Sequence, residues 1–315
     1  MGAKSKRPVV FVVGPTASGK SALALEWALQ WGGGIFNADS LQIYQKLDIG
    51  TAKPSLAERQ SCPHFLFDIA EVGSHWSVGD YCRRAWPELE PWRAQRPAFV
   101  VGGSGFYIQG LQKGLFPVQP LSEEVKAQLE ELKALGNQAL RARLEELDPE
   151  YAQSLSPQDF YRLERGLAVV LNEGRPMSQI RADFQKQPPA LTGPSFQLGL
   201  HWPREILRQR AEQRLEEMLR QGWLEEVQSL LAEGWGGWPP LKSVGYAQCV
   251  SYLKGEIKSL QEAKTLIVTA TLQLAKKQMT WFKRDRQIFW VDASSSEAMA
   301  KARSQVDTWL KGSGE

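Results

Sequence analysis

Short runs of consecutive apolar residues, many of them β-branched, recur along this chain. They lack the alternation of polar and apolar positions that marks a half-exposed strand, so they are typical of strands buried on both faces. The predicted strands are residues 9–13, 35–38, 98–101, 196–200 and 288–291. Helical spacing of apolar positions lies between them and predicts helices at residues 21–30, 78–90 and 204–231. Strands that alternate with helices predict an α/β fold, a mostly parallel sheet covered by helices.

One segment, residues 121–193, does not follow this alternation. It contains no strand pattern, only charged helical sequence such as residues 123–135 and 159–172. Prolines mark both of its ends. We interpret it as an all-helical insertion domain within an α/β core formed by residues 1–120 and 194–315. The alternative is a run of extra helices on one domain.

Composition narrows the class of protein. The chain has 315 residues, of which 43% are hydrophobic, enough for a large core and no indication of disorder. A net charge of +3 does not by itself indicate a nucleic-acid binder. Three separated cysteines fit a reducing compartment, and Cys62 with His64 offers too few ligands for zinc. No apolar stretch reaches about 18 residues, so we expect a soluble, cytoplasmic protein with no membrane partner.

A phosphate-binding signature follows the first predicted strand directly. It matches G-x-x-x-x-G-K-[ST] at every position and lies between a buried strand and a helix, as a P-loop does. Backbone N–H groups at the helix N-terminus cradle phosphate oxygens, the lysine adds positive charge, and the last hydroxyl can ligate Mg²⁺. The signature predicts a bound di- or triphosphate without distinguishing the two. Its residues are Gly14, Pro15, Thr16, Ala17, Ser18, Gly19, Lys20 and Ser21, with Ser21 as the metal ligand.

Two further segments follow the second and third predicted strands. They lie at the carboxyl edge of the sheet, where open α/β sheets bind ligands. Asp39 is a candidate magnesium ligand or general base, and the alternative is a cap on the following helix. Residues 102–107 (GGSGFY) permit close approach of the backbone to a ligand, and Ser104 offers a hydroxyl. Taken alone, these glycines would fit an ordinary turn equally well.

Together these segments resemble the bacterial tRNA dimethylallyltransferases. The matches follow in order over nearly the whole chain, so the resemblance is more specific than any single motif. The matching segments are the P-loop, residues 39–44 (DSLQIY), 48–54 (DIGTAKP), 63–64 (PH) with Asp68, 101–107 (VGGSGFY), 162–165 (RLER), the helix around Arg214, 244–246 (VGY) and 273–281 (QLAKKQMTW).

The resemblance implies a P-loop NTPase-like fold and a prenyl transfer. Dimethylallyl diphosphate would give its dimethylallyl group to N6 of the adenosine at tRNA position 37, just 3′ of the anticodon. The P-loop would then hold a leaving diphosphate, with Mg²⁺ as cofactor. In the implied catalytic set Asp39 accepts the amine proton, Ser104 supplies a hydroxyl, and Arg214 contacts the diphosphate. Thr16 also matches a diphosphate contact. Without the resemblance, Arg214 would be interpreted as an arginine lying beside an apolar stripe.

The implied partner is the anticodon stem-loop of tRNA. Basic residues interleaved with aromatic ones at 276–286 can neutralise phosphates and stack bases, although a solvated helix end has a similar composition. Gln42 and Tyr44 are candidates for holding the extruded adenine, by hydrogen bond and by stacking. The predicted tRNA-binding residues are Asp39, Ser40, Leu41, Gln42, Tyr44, Ser104, Lys126, Tyr161, Arg162, Arg165, Lys242, Gly245, Tyr246, Lys277, Trp281 and Lys283, with Lys53 as a weaker addition.

The nearest alternative is an adenylate isopentenyltransferase acting on free AMP, ADP or ATP, which would share the P-loop and the base. The basic stretch and the helical segment favour tRNA, because a free nucleotide needs neither. A small-molecule kinase would need a phosphoacceptor pocket that the motifs do not indicate, and a purely RNA-binding module would not need Asp39 beside a P-loop. We expect the enzyme to act as a monomer.

Overall fold

The computed structural model describes residues 6–116 and 119–313. Its strands form one six-stranded sheet in the order β3-β2-β4-β1-β5-β6, and every neighbouring pair is parallel. The strands are β1 (Val9–Val13), β2 (Gly34–Asn37), β3 (His64–Phe65), β4 (Ala98–Val101), β5 (Ser195–His201) and β6 (Phe289–Asp292).

Helices connect and cover these strands. No helix in the described part of the chain is long and apolar enough to cross a bilayer. The α-helices are α1 (Lys20–Trp31), α2 (Leu56–Ser61), α3 (Val78–Trp92), α4 (Gly105–Lys113), α5 (Glu123–Ala134), α6 (Asn137–Leu147), α7 (Pro149–Ser154), α8 (Phe160–Glu173), α9 (Met177–Gln185), α10 (Arg204–Arg220), α11 (Trp223–Ala232), α12 (Tyr246–Leu253), α13 (Leu260–Phe282) and α14 (Ser296–Gly312). Two short 3₁₀ helices span Trp235–Gly237 and Pro239–Lys242.

Strand β1 lies inside the sheet, hydrogen-bonded to β4 on one side and to β5 on the other. All five of its residues are buried, because apolar clusters cover both faces. One cluster draws on α3, α4 and α10 to α13, and the other on α1 and α14. Parallel strands end at a common edge, so the segments that follow β1, β2 and β4 converge at the carboxyl edge of the sheet.

The strand predictions are confirmed with shifts of single residues at their ends. The prediction of one helix over residues 204–231 is wrong. The helix stops at Arg220 and restarts at Trp223, because Gly222 takes a left-handed conformation with φ 97°. The apolar spacing continues across this break and therefore conceals it. The sequence pattern also missed β3, whose two residues, His64 and Phe65, are too few to show a period.

The chain divides into two compact units, one formed by Met1–Gln112 with Leu191–Glu315 and the other by Lys113–Ala190. The sequence placed the limits of the helical segment at 121 and 193. The second unit contains α5 to α9 around its own apolar cluster. Within it the buried Asp148 caps α7 by accepting from Tyr151 N at 3.1 Å and also accepts from Ser178 N at 2.8 Å.

Candidate active site

The P-loop connects β1 to α1 through a backbone with three positive φ angles. Gly14 and Gly19 have φ of 138° and 88°, and Ala17 also has a positive φ of 63°. A Cβ at Gly14 would lie 2.5 Å from the carbonyl oxygen of Leu200 on β5, so only glycine fits there. These conformations turn the chain from a buried strand into a helix N-terminus that faces the carboxyl edge.

The outer side of the P-loop is fixed by two side chains that sequence analysis did not identify. Arg210 Nε donates to the carbonyl oxygen of Ala17 at 2.8 Å, and Trp202 Nε1 donates to that of Ser18 at 2.9 Å. The Arg210 guanidinium also lies 4.3 Å from the centroid of the Trp202 ring. Two successive carbonyls are thus held by an interlocked pair of side chains.

The Lys20 side chain folds back onto the P-loop, which ends where helix α1 begins. Its ammonium donates to the carbonyl oxygen of Pro15 at 2.6 Å. The pKa of Lys20 is lowered to about 7, chiefly by burial; the Asp39 carboxylate raises it and the Arg214 cation lowers it. The three predicted side chains therefore act on one another electrostatically, at one site.

Arg214, on α10, reaches both the P-loop and a neighbouring turn. Its Nη1 donates to Thr16 Oγ1 at 3.2 Å and its Nη2 to the Thr51 carbonyl oxygen at 3.3 Å. Burial lowers the pKa of Arg214 from its ordinary value, and Asp39 opposes that shift. The contact with Thr16 distinguishes it from an arginine that merely lies along an apolar stripe.

Gln278, on α13, connects the P-loop with the segment that follows β4. Sequence analysis did not identify this residue either. Its Oε1 accepts from Thr16 N at 2.9 Å, and its Nε2 donates to the Gly103 carbonyl oxygen at 3.2 Å. The lack of a Cβ at Gly103 makes this approach possible. The signal was present in the QLAKKQMTW segment, but an uncharged glutamine in a basic stretch gives no chemical indication of its role.

Asp39 follows β2 in a turn and is half-buried. One carboxylate oxygen accepts from Leu41 N at 2.9 Å, and Asp39 N donates to Asn37 Oδ1 at 2.9 Å. A carboxylate has about four acceptor positions, so this turn contact leaves capacity for a substrate proton. The cap-like role and the base role are therefore compatible.

Ser104 connects β2 with the N-terminus of α4. Its Oγ accepts from Ser40 N at 2.9 Å, and its carbonyl oxygen accepts from Tyr107 N at 3.0 Å and Ile108 N at 3.2 Å. A hydroxyl that accepts from an amide still has its own proton to donate. Ser104 thus offers a donor at the edge that carries Asp39.

The serines of the P-loop are placed to meet a further polar partner. The Ser18 hydroxyl is buried and has no hydrogen-bond partner among the described residues. Since buried hydroxyls are ordinarily paired, this position fits a ligand oxygen. Ser21, near the start of α1, keeps its side chain exposed. This donor set suits a diphosphate together with Mg²⁺, which prefers oxygen ligands and shares them with phosphates.

Two predicted adenine contacts have different outcomes. Gln42 Nε2 donates to the carbonyl oxygens of Thr51 at 2.9 Å and Ala52 at 3.2 Å, which orients the amide and leaves Oε1 as an acceptor. Tyr44 is only 6% exposed, and its ring packs edge-on against Trp238 with centroids 5.2 Å apart. The prediction that Tyr44 stacks on a base is wrong in this structure, because the ring belongs to the core.

Three other predicted RNA contacts are also interior. Tyr246 is fully buried and donates from its hydroxyl to Glu226, and Gly245 is buried beneath the Trp223 ring. The Lys53 side chain is 3% exposed and forms ion pairs with Asp48 and Asp68. These residues stabilise the fold around the site and present no surface to a phosphate.

The remaining predicted RNA contacts of the first unit lie at or near the surface. Lys277 is exposed on α13, and Trp281 on the same helix packs its ring against Phe106 with centroids 4.3 Å apart. Phe106 is 54% exposed and follows Ser104 closely in the chain, so this aromatic pair adjoins the active-site edge. The others are the exposed Ser40, Lys242 and Lys283 and the half-buried Leu41.

The predicted RNA contacts of the helical unit lie on two helices. Tyr161, Arg162 and Arg165 are exposed along the first turns of α8. The Arg162 guanidinium lies 3.4 Å from the Asp159 carboxylate. Lys126 is exposed on α5 and pairs with Glu123 at 2.6 Å. Two exposed arginines and two exposed aromatic rings, Phe160 and Tyr161, therefore lie in the first turns of α8.

Comparison with protein families gives two matches. The IPP transferase family matches residues 42–285, and the isopentenyl transferase family matches residues 7–72. A tRNA dimethylallyltransferase of Bdellovibrio bacteriovorus is 44% identical over 309 residues, which cover 98% of this chain and 99% of that protein.

Solved structures agree with these matches. The crystal structure of a tRNA isopentenylpyrophosphate transferase from Staphylococcus epidermidis superimposes with a TM-score of 0.67 at 30% identity, covering 96% of this chain and 99% of the other. A eukaryotic dimethylallyltransferase acting on tRNA superimposes with a TM-score of 0.84 at 23% identity, over 97% of this chain and 80% of the other. At that identity the likeness concerns the fold alone.

Proposed function

The chain belongs to the IPP transferase family, and we propose that it transfers a dimethylallyl group from dimethylallyl diphosphate to N6 of adenosine 37 in tRNA. The observation that carries the proposal is the meeting of Lys20, Asp39 and Arg214 at the carboxyl edge of the sheet, beside a complete P-loop. This arrangement provides cations for a departing diphosphate and a carboxylate for an amine proton.

On the donor side the P-loop holds the diphosphate as a leaving group. Negative charge grows on the phosphate oxygens as the bond to the allylic carbon breaks, and the loop amides, Lys20 and Arg214 stabilise it where it forms. The hydrogen bonds to the carbonyl oxygens of Ala17 and Ser18 support the proposal, because they hold the P-loop in one conformation while this charge develops. Ser21 would supply a hydroxyl ligand to Mg²⁺, which when bound adds positive charge at the diphosphate.

On the acceptor side Asp39 accepts the proton that the adenine amine loses as it is alkylated. An exocyclic amine is a weak nucleophile, so a base within hydrogen-bond reach accelerates the transfer. Gln42 supports this arrangement, because its free Oε1 can accept a hydrogen bond from the same N6 amine.

The base must leave the anticodon-loop stack to reach this edge. The exposed Phe106 ring, packed on Trp281, provides a stacking surface next to Ser104. It takes over the role that the sequence assigned to Tyr44. The proposed setting is the cytoplasm, with which the three free cysteines are consistent.

The proposal is tested by incubating the pure protein with radiolabelled dimethylallyl diphosphate, Mg²⁺ and either unmodified tRNA or AMP. We expect label in tRNA and none in AMP. Label in AMP alone would contradict the proposal and identify the enzyme as an adenylate isopentenyltransferase.

A further inference from the structure

Glu226, on α11, binds a turn that belongs to the active-site edge. Its Oε2 accepts from Asp48 N at 2.8 Å and Ile49 N at 2.7 Å, and its Oε1 accepts from Gly50 N at 3.3 Å. Three successive backbone amides thus converge on one carboxylate. This contact joins residues far apart in sequence, so the turn is fixed by α11 and not by its own local hydrogen bonds alone.

The Glu226 carboxylate also accepts a hydrogen bond from a buried side chain. The buried Tyr246 hydroxyl donates to Glu226 Oε1 at 2.6 Å. Burial and the adjacent Glu226 carboxylate raise the pKa of Tyr246 well above its ordinary value, so the hydroxyl remains a donor. Gly50 packs directly on Trp223 and Tyr246, where a Cβ would collide with both rings. The turn therefore has one tightly determined position.

The turn ends at a carbonyl that two predicted site residues share. The Thr51 carbonyl oxygen accepts from Gln42 Nε2 at 2.9 Å and from Arg214 Nη2 at 3.3 Å. Arg214 also contacts Thr16 of the P-loop, and Gln42 lies three residues beyond Asp39. A single backbone oxygen thus connects the diphosphate side of the site with the adenine side.

We propose that Glu226 is a positioning residue for prenyl transfer: it fixes the turn at residues 48–51 so that the Thr51 carbonyl orients Arg214 and Gln42 together. The inference rests on the proposed function, since it assigns those two side chains to donor and acceptor. Displacements of about 1 Å in a reactive arrangement cost up to about a hundredfold in rate. Releasing the turn therefore lowers the rate constant of the chemical step.

The test is Glu226→Gln with Glu225→Gln as the matched control, since Glu225 is an exposed neighbour on the same helix. The amide offers one acceptor oxygen in place of two, and its NH₂ faces either Gly50 N or the N–H groups of Asp48 and Ile49, so the turn is held less firmly. Single-turnover transfer from labelled dimethylallyl diphosphate to tRNA should slow by about tenfold to a hundredfold in Glu226→Gln. Glu225→Gln should match the wild type.

A merely structural role predicts a different result. A loss of stability would lower the reaction amplitude, because less of the enzyme would be active. It would leave the single-turnover rate constant unchanged. That result would overturn the inference. Tyr246→Phe removes only the anchoring hydroxyl and provides a milder variant, expected to slow the rate constant by roughly two- to tenfold.

Coupling through Thr51 is tested by adding Gln42→Ala. If Glu226 acts by orienting Gln42, the second substitution should have much less effect in Glu226→Gln than in the wild type. Fully additive losses would contradict the shared-carbonyl connection.

A binding measurement separates failure of this inference from failure of the proposed function. Glu226→Gln should weaken binding of inorganic pyrophosphate with Mg²⁺, because Arg214 loses its Thr51 partner, while Glu225→Gln should not. An inactive wild type that still shows this difference would reject prenyl transfer and retain only the role of Glu226 in positioning Arg214. An active wild type with equal rates and affinities in both variants would reject the positioning role alone.

Discussion

The charge of Lys20 depends on its surroundings. Burial brings its pKa down to about 7, so near pH 8 much of it is neutral in the free protein. A bound diphosphate favours the ammonium form and raises that pKa again. Binding at pH 8 therefore takes up a proton, whereas at pH 6 the ammonium is already present.

We predict that calorimetry of pyrophosphate binding at pH 8, repeated in buffers of different ionisation enthalpy, finds uptake of up to about one proton. Affinity should fall as the pH rises above 7. Lys20→Arg, whose guanidinium stays charged, isolates the protons that belong to the ligand itself. The same uptake in Lys20→Arg as in the wild type would show that Lys20 does not titrate in this range.

Asp39 has two roles that one substitution separates. Asn keeps an oxygen that can accept from Leu41 N, so the turn after β2 should survive in Asp39→Asn. The amide cannot accept the amine proton, and we predict a loss of about a hundredfold or more in turnover. Pyrophosphate affinity should stay close to that of the wild type. An Asp39→Asn enzyme as fast as the wild type would remove Asp39 from the role of base.

At the scale of elements, the P-loop depends on Arg210 and Trp202, which donate hydrogen bonds to the carbonyl oxygens of Ala17 and Ser18. Trp202→Phe keeps an aromatic ring beneath Arg210 but removes the hydrogen bond to the Ser18 carbonyl. One such bond contributes about 0.5–1.5 kcal/mol. We predict pyrophosphate binding weaker by roughly two- to tenfold. Trp31→Phe is the control, because it also loses an indole hydrogen bond, to Asp307, at the opposite end of α1. Equal pyrophosphate affinities in the two variants would contradict the role of Trp202 in holding the P-loop.

The strands were predictable because continuous apolar runs occur only where both faces of a sheet are covered, as in β1 and β4. The break in the long helix was not predictable from periodicity. Apolar positions at Leu215, Met218 and Trp223 continue one pattern, while the single φ of Gly222 changes the direction of the chain. A glycine in a helical pattern indicates a permitted break but does not require one.

At the scale of the whole molecule, we propose that exposed cations on both units contribute to RNA binding. Lys277 on α13 and Arg165 on α8 are exposed cations in the predicted contact set. We predict that Lys277→Ala and Arg165→Ala each weaken tRNA binding and reduce the slope of log affinity against log salt by up to about one. Lys301→Ala, on the helix that covers the opposite face of the sheet from α13, should leave both unchanged. Slopes equal to that of the wild type would mean that Lys277 and Arg165 are only solvated.

The P-loop was predictable from its signature and Asp39 from its carboxylate at the carboxyl edge of the sheet, whereas the roles of Ser104 and Arg214 were indicated only by the family resemblance. Gln278, Arg210 and Glu226 were not predictable, since their roles come from backbone atoms brought near them by folding. Tyr44 and Tyr246 were predicted to contact RNA, but both side chains are buried in the core. An aromatic ring in a functional motif fits a base stack and a core equally well, and only packing decides between them.

The most direct test of the account is to find where the prenyl group goes. Unmodified tRNA is incubated with the protein, dimethylallyl diphosphate and Mg²⁺, then digested to nucleosides and to fragments for mass spectrometry. The account predicts N6-dimethylallyladenosine at nucleotide 37 with the wild-type protein and at least about a hundredfold slower formation with Asp39→Asn. Unmodified tRNA, or prenylation at another nucleotide or on free AMP, would contradict it.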